Sequence, residues 1–189
     1  IICVKDDLIK KISSKIKTDK LVVHTSGGVS IEEISSSKRR GIFYPVQTFL
    51  KSRNVSFEGI PVCVETENST DLIILKRLSR ILKSKAHVIN SEQRKIIHLS
   101  AVFVNNFTNH LYTIAKDISD SKDIPFDFFH PLIKETTDKV IKTGPDKSQT
   151  GPAKRQDRKT IQEHKKILSN KEYNKLYLIL TQLIEKRYE

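Results

Sequence analysis

The stretch Leu21-Val22-Val23-His24-Thr25-Ser26-Gly27-Gly28 decides the fold, because an apolar run ends there in a loop of small residues. Short, unbroken apolar runs rich in β-branched residues are typical of strands buried on both faces of a parallel sheet. The serine and glycines that follow predict a turn at the carboxyl end of that strand. The stretch therefore predicts an α/β fold in which a strand delivers polar residues to one edge of a sheet.

Strand and helix patterns alternate on both sides of this stretch. Further apolar runs predict strands at residues 1–4, 41–43, 60–65 and 86–89. Apolar residues at helical spacing predict helices within residues 8–16, 31–34 and 72–82, and we expect Asp6 or Asp7 to cap the first of them. Because strands alternate with helices, the first half of the chain predicts a partial parallel sheet.

The opening run, Ile1-Ile2-Cys3-Val4, needs a hydrogen-bonding neighbour on each side if it is a buried strand. The chain starts on it without an initiator Met, and the sequence contains no GxGxxG turn of the kind that holds a dinucleotide beside the first strand of a doubly wound sheet. We therefore expect that the N-terminal strands are absent from this sequence. The alternative is a short sheet that another chain completes.

From Ser91 onward the sequence predicts helices alone. The first spans residues 91–118, the second spans 126–141 with a kink or a break at Pro131, and two more follow the loop 143–152. Asp157 is placed to cap the first helix of that last pair. The predicted organisation is a sheet domain at residues 1–90 and an all-α domain at residues 91–189.

The formal net charge of +12 suggests a nucleic-acid partner, but the arrangement of the charges does not. Lysines are spread along the whole chain, and no nucleic-acid motif or interleaving of aromatic with basic residues occurs. We expect a solvated basic surface that helps to attract an anionic small molecule. Nucleic-acid binding is kept as the least favoured alternative.

Location and metal binding are predicted from what the sequence lacks. No apolar run approaches the roughly 18 residues of a membrane span, and no signal pattern opens the chain, so we expect a cytoplasmic protein. Cys3 and Cys63 both lie in apolar runs, which predicts two buried, reduced thiols. Without a CxxC motif or a Cys/His cluster, we expect no metal site.

Polar side chains recur along one face of the helix that begins at Ser91. At about 100° per residue, His98, Val102, Asn105 and Asn109 form one stripe with Asn106 at its side. An imidazole suits proton transfer near neutral pH, and carboxamides suit substrate orientation. The alternative is a core histidine satisfied by one hydrogen bond, with the asparagines bridging helices.

Four blocks of sequence share their order and spacing with a known family. They are His24-Thr25-Ser26-Gly27, residues 44–49 (YPVQTF), residues 98–107 (HLSAVFVNNF) and residues 150–157 (TGPAKRQD) with the continuation to Thr160, Ile161 and His164. Together they resemble bacterial oxidoreductase-like proteins that combine a Rossmann-like domain with a helical C-terminal domain of unknown function. That family is distantly similar to pyrroline-5-carboxylate reductases and 6-phosphogluconate dehydrogenase-like proteins. It usually has Gly where Gln156 stands and often His where Tyr44 stands.

The resemblance implies an oxidoreductase that uses NADP or NAD to act on a small, anionic metabolite, and a homodimer formed through the helical domain. His98 and Asn106 would be the catalytic pair, although the wider group places a Lys there. The implied substrate-binding residues are Asn105, Arg155 and Asp157. The implied cofactor-binding residues are His24, Ser26, Gly27, Tyr44 and Gln47.

Each of these assignments has a structural alternative. The loop after His24 is also an ordinary polar turn, the segment 44–49 a rigid connector, and Asp157 a helix cap. The alternative for the whole protein is a non-catalytic module that senses a nucleotide or a metabolite.

Overall fold

The computed structural model describes residues 1–35, 37–50 and 52–189. The chain forms two compact units, Ile1–Thr108 and Asn109–Glu189, and each is described by itself. The first unit is built on a four-stranded sheet and the second consists of helices, which confirms the predicted Rossmann-like α/β fold followed by an all-α region. The predicted domain boundary follows residue 90, where the sheet ends, whereas the compact units divide farther along the chain.

The four strands of the sheet lie close to their predicted positions. They are β1 (Val22–His24), β2 (Arg40–Pro45), β3 (Pro61–Thr66) and β4 (Lys85–Val88), hydrogen-bonded in that order. Strands β1 and β2 are parallel, as are β3 and β4. Most of the sheet therefore has the predicted parallel pairing.

The central pair, β2 and β3, is antiparallel, so the prediction of a parallel sheet is wrong there. Gly41 lies opposite Thr66 and Pro45 lies opposite Val62. A parallel pair needs a crossover, usually through a helix. Residues 46–50 and 52–60, the described part of the connection, form no helix, and the chain returns antiparallel.

The prediction of a buried strand at residues 1–4 is also wrong. Only Ile2 is buried; it forms an isolated parallel bridge with His24, and its N–H donates to the carbonyl oxygen of Val23 at 2.7 Å. Ile1 is 69% exposed and Val4 is 39% exposed, because no further ladder partner holds them among the described residues. Cys3 is consequently exposed rather than buried, whereas Cys63 is buried in β3 as predicted.

The helical segments that precede β4 lie at most of the expected places. A 3-10 turn at Asp6–Leu8 leads into α1 (Ile9–Ser13), a second 3-10 turn spans Ile31–Glu33, and α2 spans Ser69–Ile81. Neither Asp6 nor Asp7 caps α1, which corrects that prediction: both lie inside the first turn, and Lys5, the preceding residue, makes no side-chain cap. Their charges still favour the amino end of the helix.

The core lies on both faces of the sheet. Leu75 of α2 packs with Phe43 and Val64 on one face. On the other face, Ile97 packs against Ile42 and Tyr44. The helix that carries Ile97 therefore lies directly over β2, and this contact positions the residues that follow it.

That helix, α3 (Ser91–Ala101), begins with a capping box between Asn90 and Gln93 and ends in a π-helical turn, Val102–Phe107. The hydroxyl of Thr108 donates to the carbonyl oxygen of Phe103 at 3.0 Å, a carbonyl of the widened turn. A wider turn advances the chain by a smaller angle per residue. The predicted stripe of His98, Val102, Asn105 and Asn109 therefore does not continue in simple α-helical phase past Val102.

The second unit is helical throughout its ordered segments. It comprises α4 (Thr108–Asp120, which begins at the end of the first unit), a 3-10 turn (Phe126–Phe129), α5 (His130–Thr143), α6 (Pro145–Ser148), α7 (Arg158–Ile167) and α8 (Lys171–Tyr188). Pro131 lies in the first turn of α5, which confirms the predicted break. No helix in the described parts of the chain is long and apolar enough to cross a membrane.

Candidate functional site

The loop that follows β1 is organised around His24, whose side chain is wholly buried. The Nδ1 atom accepts from the Ser26 N–H at 3.2 Å, and Nε2 lies 3.2 Å from the Ser30 carbonyl oxygen. Burial lowers the pKa of His24, so the neutral ring donates from Nε2 to that carbonyl. The Ser26 hydroxyl accepts from the N–H groups of Gly28 and Val29, each at 3.1 Å.

These bonds show how two residues predicted to bind a cofactor are placed. Both ring nitrogens of His24 bond within the chain, and the Ser26 N–H, predicted to face a ligand, donates to His24 instead. Their direct contact with a cofactor stays a prediction. In this structure their effect is to shape the loop that presents Gly27.

Arg94, in the first turns of α3, ties the helix to that loop and to β3. Its wholly buried guanidinium bonds the Glu65 carboxylate and the carbonyl oxygen of Val29, and lies 3.3 Å from the Ser91 hydroxyl. Its Nε has no hydrogen-bond partner among the described residues. Sequence reasoning missed Arg94; the signal that could have found it is its position one helical turn before His98.

His98 lies between the backbone of the loop that follows β1 and the side chain of Tyr44 in β2. Its Nδ1 is 3.2 Å from the Tyr44 hydroxyl oxygen, and the two rings meet edge to face with centroids 5.9 Å apart. On the other side, a Cβ placed on Gly27 would lie 2.6 Å from the same Nδ1. The close approach of His98 therefore requires glycine at position 27, whereas a Cβ on Gly28 would meet nothing closer than 3.7 Å.

A cavity of about 340 Å³ opens beside this pair, at the end of β2. Its polar lining consists of Tyr44, Gln47, Thr48, His98, Asn105 and Asn106. Burial raises the pKa of the Tyr44 phenol, so the phenol remains a hydrogen-bond donor at neutral pH. The structure thus brings five of the predicted site residues into one cavity, with Gly27 against its histidine.

The other predicted site residues, Arg155 and Asp157, belong to the second unit. Asp157 caps α7: its carboxylate accepts from the N–H and the hydroxyl of Thr160, at 3.1 and 2.7 Å. These bonds lower the pKa of Asp157. Arg155 is exposed on the loop before the helix. The predicted cap is confirmed, and substrate binding by the two residues stays a prediction.

Gln156, between them, has a φ of 54°, in the left-handed region that favours glycine. This explains why the family resemblance places Gly at the position. Gln156 adopts this conformation, so the loop keeps its turn without the glycine.

His164 of α7 lies 2.9 Å, through its Nδ1 atom, from the Tyr177 hydroxyl, within the second unit.

The described residues contain no cluster of three or more His, Cys, Asp or Glu side chains that could hold a metal ion. For a nicotinamide cofactor, the fitting feature is the close-packed loop at the carboxyl end of β1, where ligands of α/β sheets bind. The N–H of Gly27 forms no hydrogen bond among the described residues and is left for a ligand. The fit concerns the nicotinamide end, because the sequence contains no GxGxxG turn for the pyrophosphate.

Comparisons with known proteins bear on these features. The "putative NADP oxidoreductase" of Bacteroides fragilis is 36% identical with a TM-score of 0.89, over 97% of this chain and 73% of its own. A Thermotoga maritima protein of known structure is 29% identical with a TM-score of 0.78, over 98% of this chain and 76% of its own. No curated protein matches the chain significantly. Residues 60–184 match the family described as a domain of unknown function, DUF2520, and the chain belongs to that family.

Proposed function

We propose that the protein is an NADP- or NAD-dependent oxidoreductase whose reaction takes place in the cavity beside Tyr44 and His98. The observation that carries the proposal is the hydrogen bond between these side chains at the wall of a cavity, at the sheet edge where α/β proteins bind ligands. The name of the similar Bacteroides fragilis protein supports a nicotinamide cofactor and a redox reaction.

When bound, the cofactor supplies or accepts the hydride. Gly27 would approach its nicotinamide end, with its free N–H, and Gln47 offers a carboxamide on the neighbouring loop. His24 and Ser26 would hold the shape of that loop rather than contact the ligand. We leave open the choice between NADP and NAD.

Tyr44 and His98 would move the proton that accompanies hydride transfer. In one tautomer the His98 Nδ1–H donates to the Tyr44 oxygen and leaves the phenolic O–H free for the substrate. In the other the phenol donates to Nδ1 and leaves the His98 Nε2–H free. Either way one donor of the pair can protonate an oxygen or nitrogen that becomes negative. Tyr44, first assigned to the cofactor, thus acts here with His98, and Asn105 and Asn106 would orient the substrate.

The test is titration of the native polypeptide with NADPH and NADH, followed by fluorescence or calorimetry, and turnover of candidate imines, oxo acids and hydroxy acids. We expect His98→Asn and Tyr44→Phe to keep cofactor affinity and to lower turnover by about 10²–10⁴-fold, the usual contribution of a positioned acid or base. His110→Asn, at an exposed histidine of α4, is the matched control.

Two results would contradict the proposal in different ways. If neither NADPH nor NADH binds, the oxidoreductase assignment fails. If a cofactor binds but no substrate of any class is turned over, the protein is the alternative, a non-catalytic module that binds nucleotides or metabolites.

We also propose that the helical unit forms a homodimer. It exposes large apolar side chains close together where α5 begins: Phe128 is 72% exposed and Leu132, four residues farther on, is 62% exposed. Contiguous exposed apolar surface is typical of protein interfaces. Sedimentation equilibrium of the wild type and of Leu132→Glu tests this, since the variant should be monomeric.

The free thiols of Cys3 and Cys63 would suit a reducing compartment such as the cytoplasm. Arg155 remains the proposed clamp for an anionic group, because it is exposed beside the amino end of α7, where both its charge and the helix favour anions.

Nothing in the helical unit suggests nucleic-acid binding beyond its general basic charge.

A further inference from the structure

The cavity beside His98 has an unusual lining for so basic a protein. The chain has 34 Lys and Arg and 22 Asp and Glu residues in 189, yet none of these four residue types occurs among the described residues that line the cavity. Its polar groups are an imidazole, a phenol, a hydroxyl and the carboxamides of Gln47, Asn105 and Asn106. We propose that the reacting end of the substrate, which lies in this cavity, is uncharged and bears carbonyl, hydroxyl or amide groups. The statement that this end of the substrate reacts rests on the proposed function. The statement that the cavity binds uncharged polar groups does not.

Desolvation is the physical reason. A carboxylate or phosphate that leaves water needs an opposite charge or several strong donors, and Arg is the usual partner. Among the described residues, the lining offers neither Arg nor Lys. Carboxamides, in contrast, each provide both donors and acceptors, which satisfy neutral carbonyl, hydroxyl and amide groups. The lining therefore favours an uncharged polar ligand.

The charged groups close to the cavity that the structure describes do not change this conclusion, because each one bonds to other residues or lies outside the cavity. Arg94 is buried and bonds Glu65 and Val29. Asp6 lies on the side of Gly28. Arg53 lines a neighbouring cavity of about 250 Å³ and is absent from the described lining of this one.

The phenol of Tyr44 adds a second argument. Its hydroxyl bonds His98 and remains protonated at neutral pH, so it presents a donor rather than a negative charge. A carbonyl oxygen that gains negative charge during reduction finds its proton here, while a resting carboxylate would find no compensating cation. The same pair therefore suits a reaction at an uncharged carbonyl or its alcohol.

The test compares uncharged and anionic ligands of the same skeleton. Pyruvamide is paired with pyruvate and lactamide with lactate, and binding to the native polypeptide without cofactor is followed by NMR shifts of the backbone amides of Asn105 and Asn106. We expect each amide to bind roughly tenfold more tightly than its carboxylate. Asn105→Lys, which places a cation in the cavity, should reverse the preference. Asn109→Lys, an equal change at an exposed residue outside the cavity, should leave it unaltered.

Equal or tighter binding of the carboxylates by the wild type would overturn the proposal, as would a lack of shifts with every amide. The outcome is separate from that of the cofactor titration. If the amides bind and neither NADPH nor NADH does, the oxidoreductase assignment fails and the uncharged site stands. If a cofactor binds and the carboxylates are preferred, the reverse holds.

Discussion

Two histidines at the same edge of the sheet differ in burial and in hydrogen bonding. His24 is wholly buried, and both of its ring nitrogens bond within the loop that follows β1. His98 is half-buried and has one bond, to Tyr44, at the wall of a cavity. We call the first region, His24 with residues 25–30 and Arg94, the closed loop. We call the second, Tyr44, His98, Asn105 and Asn106, the open wall.

The difference separates residues that position a site from residues that serve it. Polar side chains in the closed loop satisfy one another, so they rigidify the loop, and it is the backbone N–H of Gly27 that remains available to a ligand. Polar groups in the open wall have unused donors and acceptors, and they line the cavity. Stability should therefore depend on the closed loop, and ligand binding on the open wall. The following variants test that division, from the largest expected effect on stability to the smallest.

Removal of the Arg94 side chain should have the largest effect. Arg94→Met leaves the Glu65 carboxylate and the Val29 carbonyl without their partner in a buried site, which typically costs about 3–5 kcal/mol of unfolding free energy. Urea unfolding measures the loss. Lys95→Met, at the exposed neighbouring position, is the control and should change little. A loss below about 1 kcal/mol would show that the closed loop does not depend on this charge pair.

A methyl group on Gly27 should come next. In Gly27→Ala the new Cβ would lie 2.6 Å from the His98 Nδ1, so His98 or the loop must shift. We expect a loss of about 1–3 kcal/mol, as for overpacked cores, and impaired ligand binding. The matched control is Gly28→Ala, whose Cβ has ordinary contacts and which should stay within about 0.5 kcal/mol of wild type. Equal losses in the two variants would contradict the contact with His98.

Acidification should weaken the closed loop through His24. Its pKa is lowered in the folded protein by burial, so the unfolded chain, with a histidine pKa of about 6.5, takes up the proton first. The contribution is present above that pH and is lost as the pH falls through the folded pKa, at no more than about 1.4 kcal/mol per pH unit. The urea concentration at the unfolding midpoint should therefore fall as the pH is lowered. In His24→Gln the midpoint should depend less on pH. His110→Gln, at an exposed site, should preserve it.

The open wall should contribute least to stability. Tyr44→Phe removes one hydrogen bond, worth about 1 kcal/mol or less, and His98→Asn should be similarly mild. Thermal unfolding of both variants is compared with Tyr112→Phe, whose hydroxyl has no hydrogen-bond partner in the described parts of the chain. A loss as large as that of Arg94→Met would place these residues in the structural frame and would erase the distinction between the two regions.

Local chemistry explains what could be predicted from the sequence. The β-branched run at Val22–His24 and the apolar run at Pro61–Thr66 are strands because their residues suit a buried sheet. Asp157 caps α7 because its carboxylate reaches the N–H three residues on. His98 and Val102 line the same cavity because an α-helix brings residues four apart to one side. In each case the signal lies within a few residues.

The remaining features depend on contacts between distant residues. The antiparallel pairing of β3 with β2 and the exposure of Ile1 and Val4 both depend on which segments of the chain lie next to one another. Burial of Arg94 depends on Glu65, 29 residues away in sequence. The π-turn at Val102–Phe107 has no compositional signal that we can identify. Spacing alone could not supply these.

The uncharged lining of the cavity also affects kinetics. The surrounding molecule carries a net charge of +12 and attracts anions over about one Debye length, whereas an uncharged molecule does not feel that field. If the proposed function holds, added salt should slow the association of the anionic cofactor and leave that of an uncharged ligand such as pyruvamide unchanged. Stopped-flow measurement at increasing ionic strength would thus distinguish the two association rates: one is raised by long-range electrostatic attraction, and the other depends on diffusion alone.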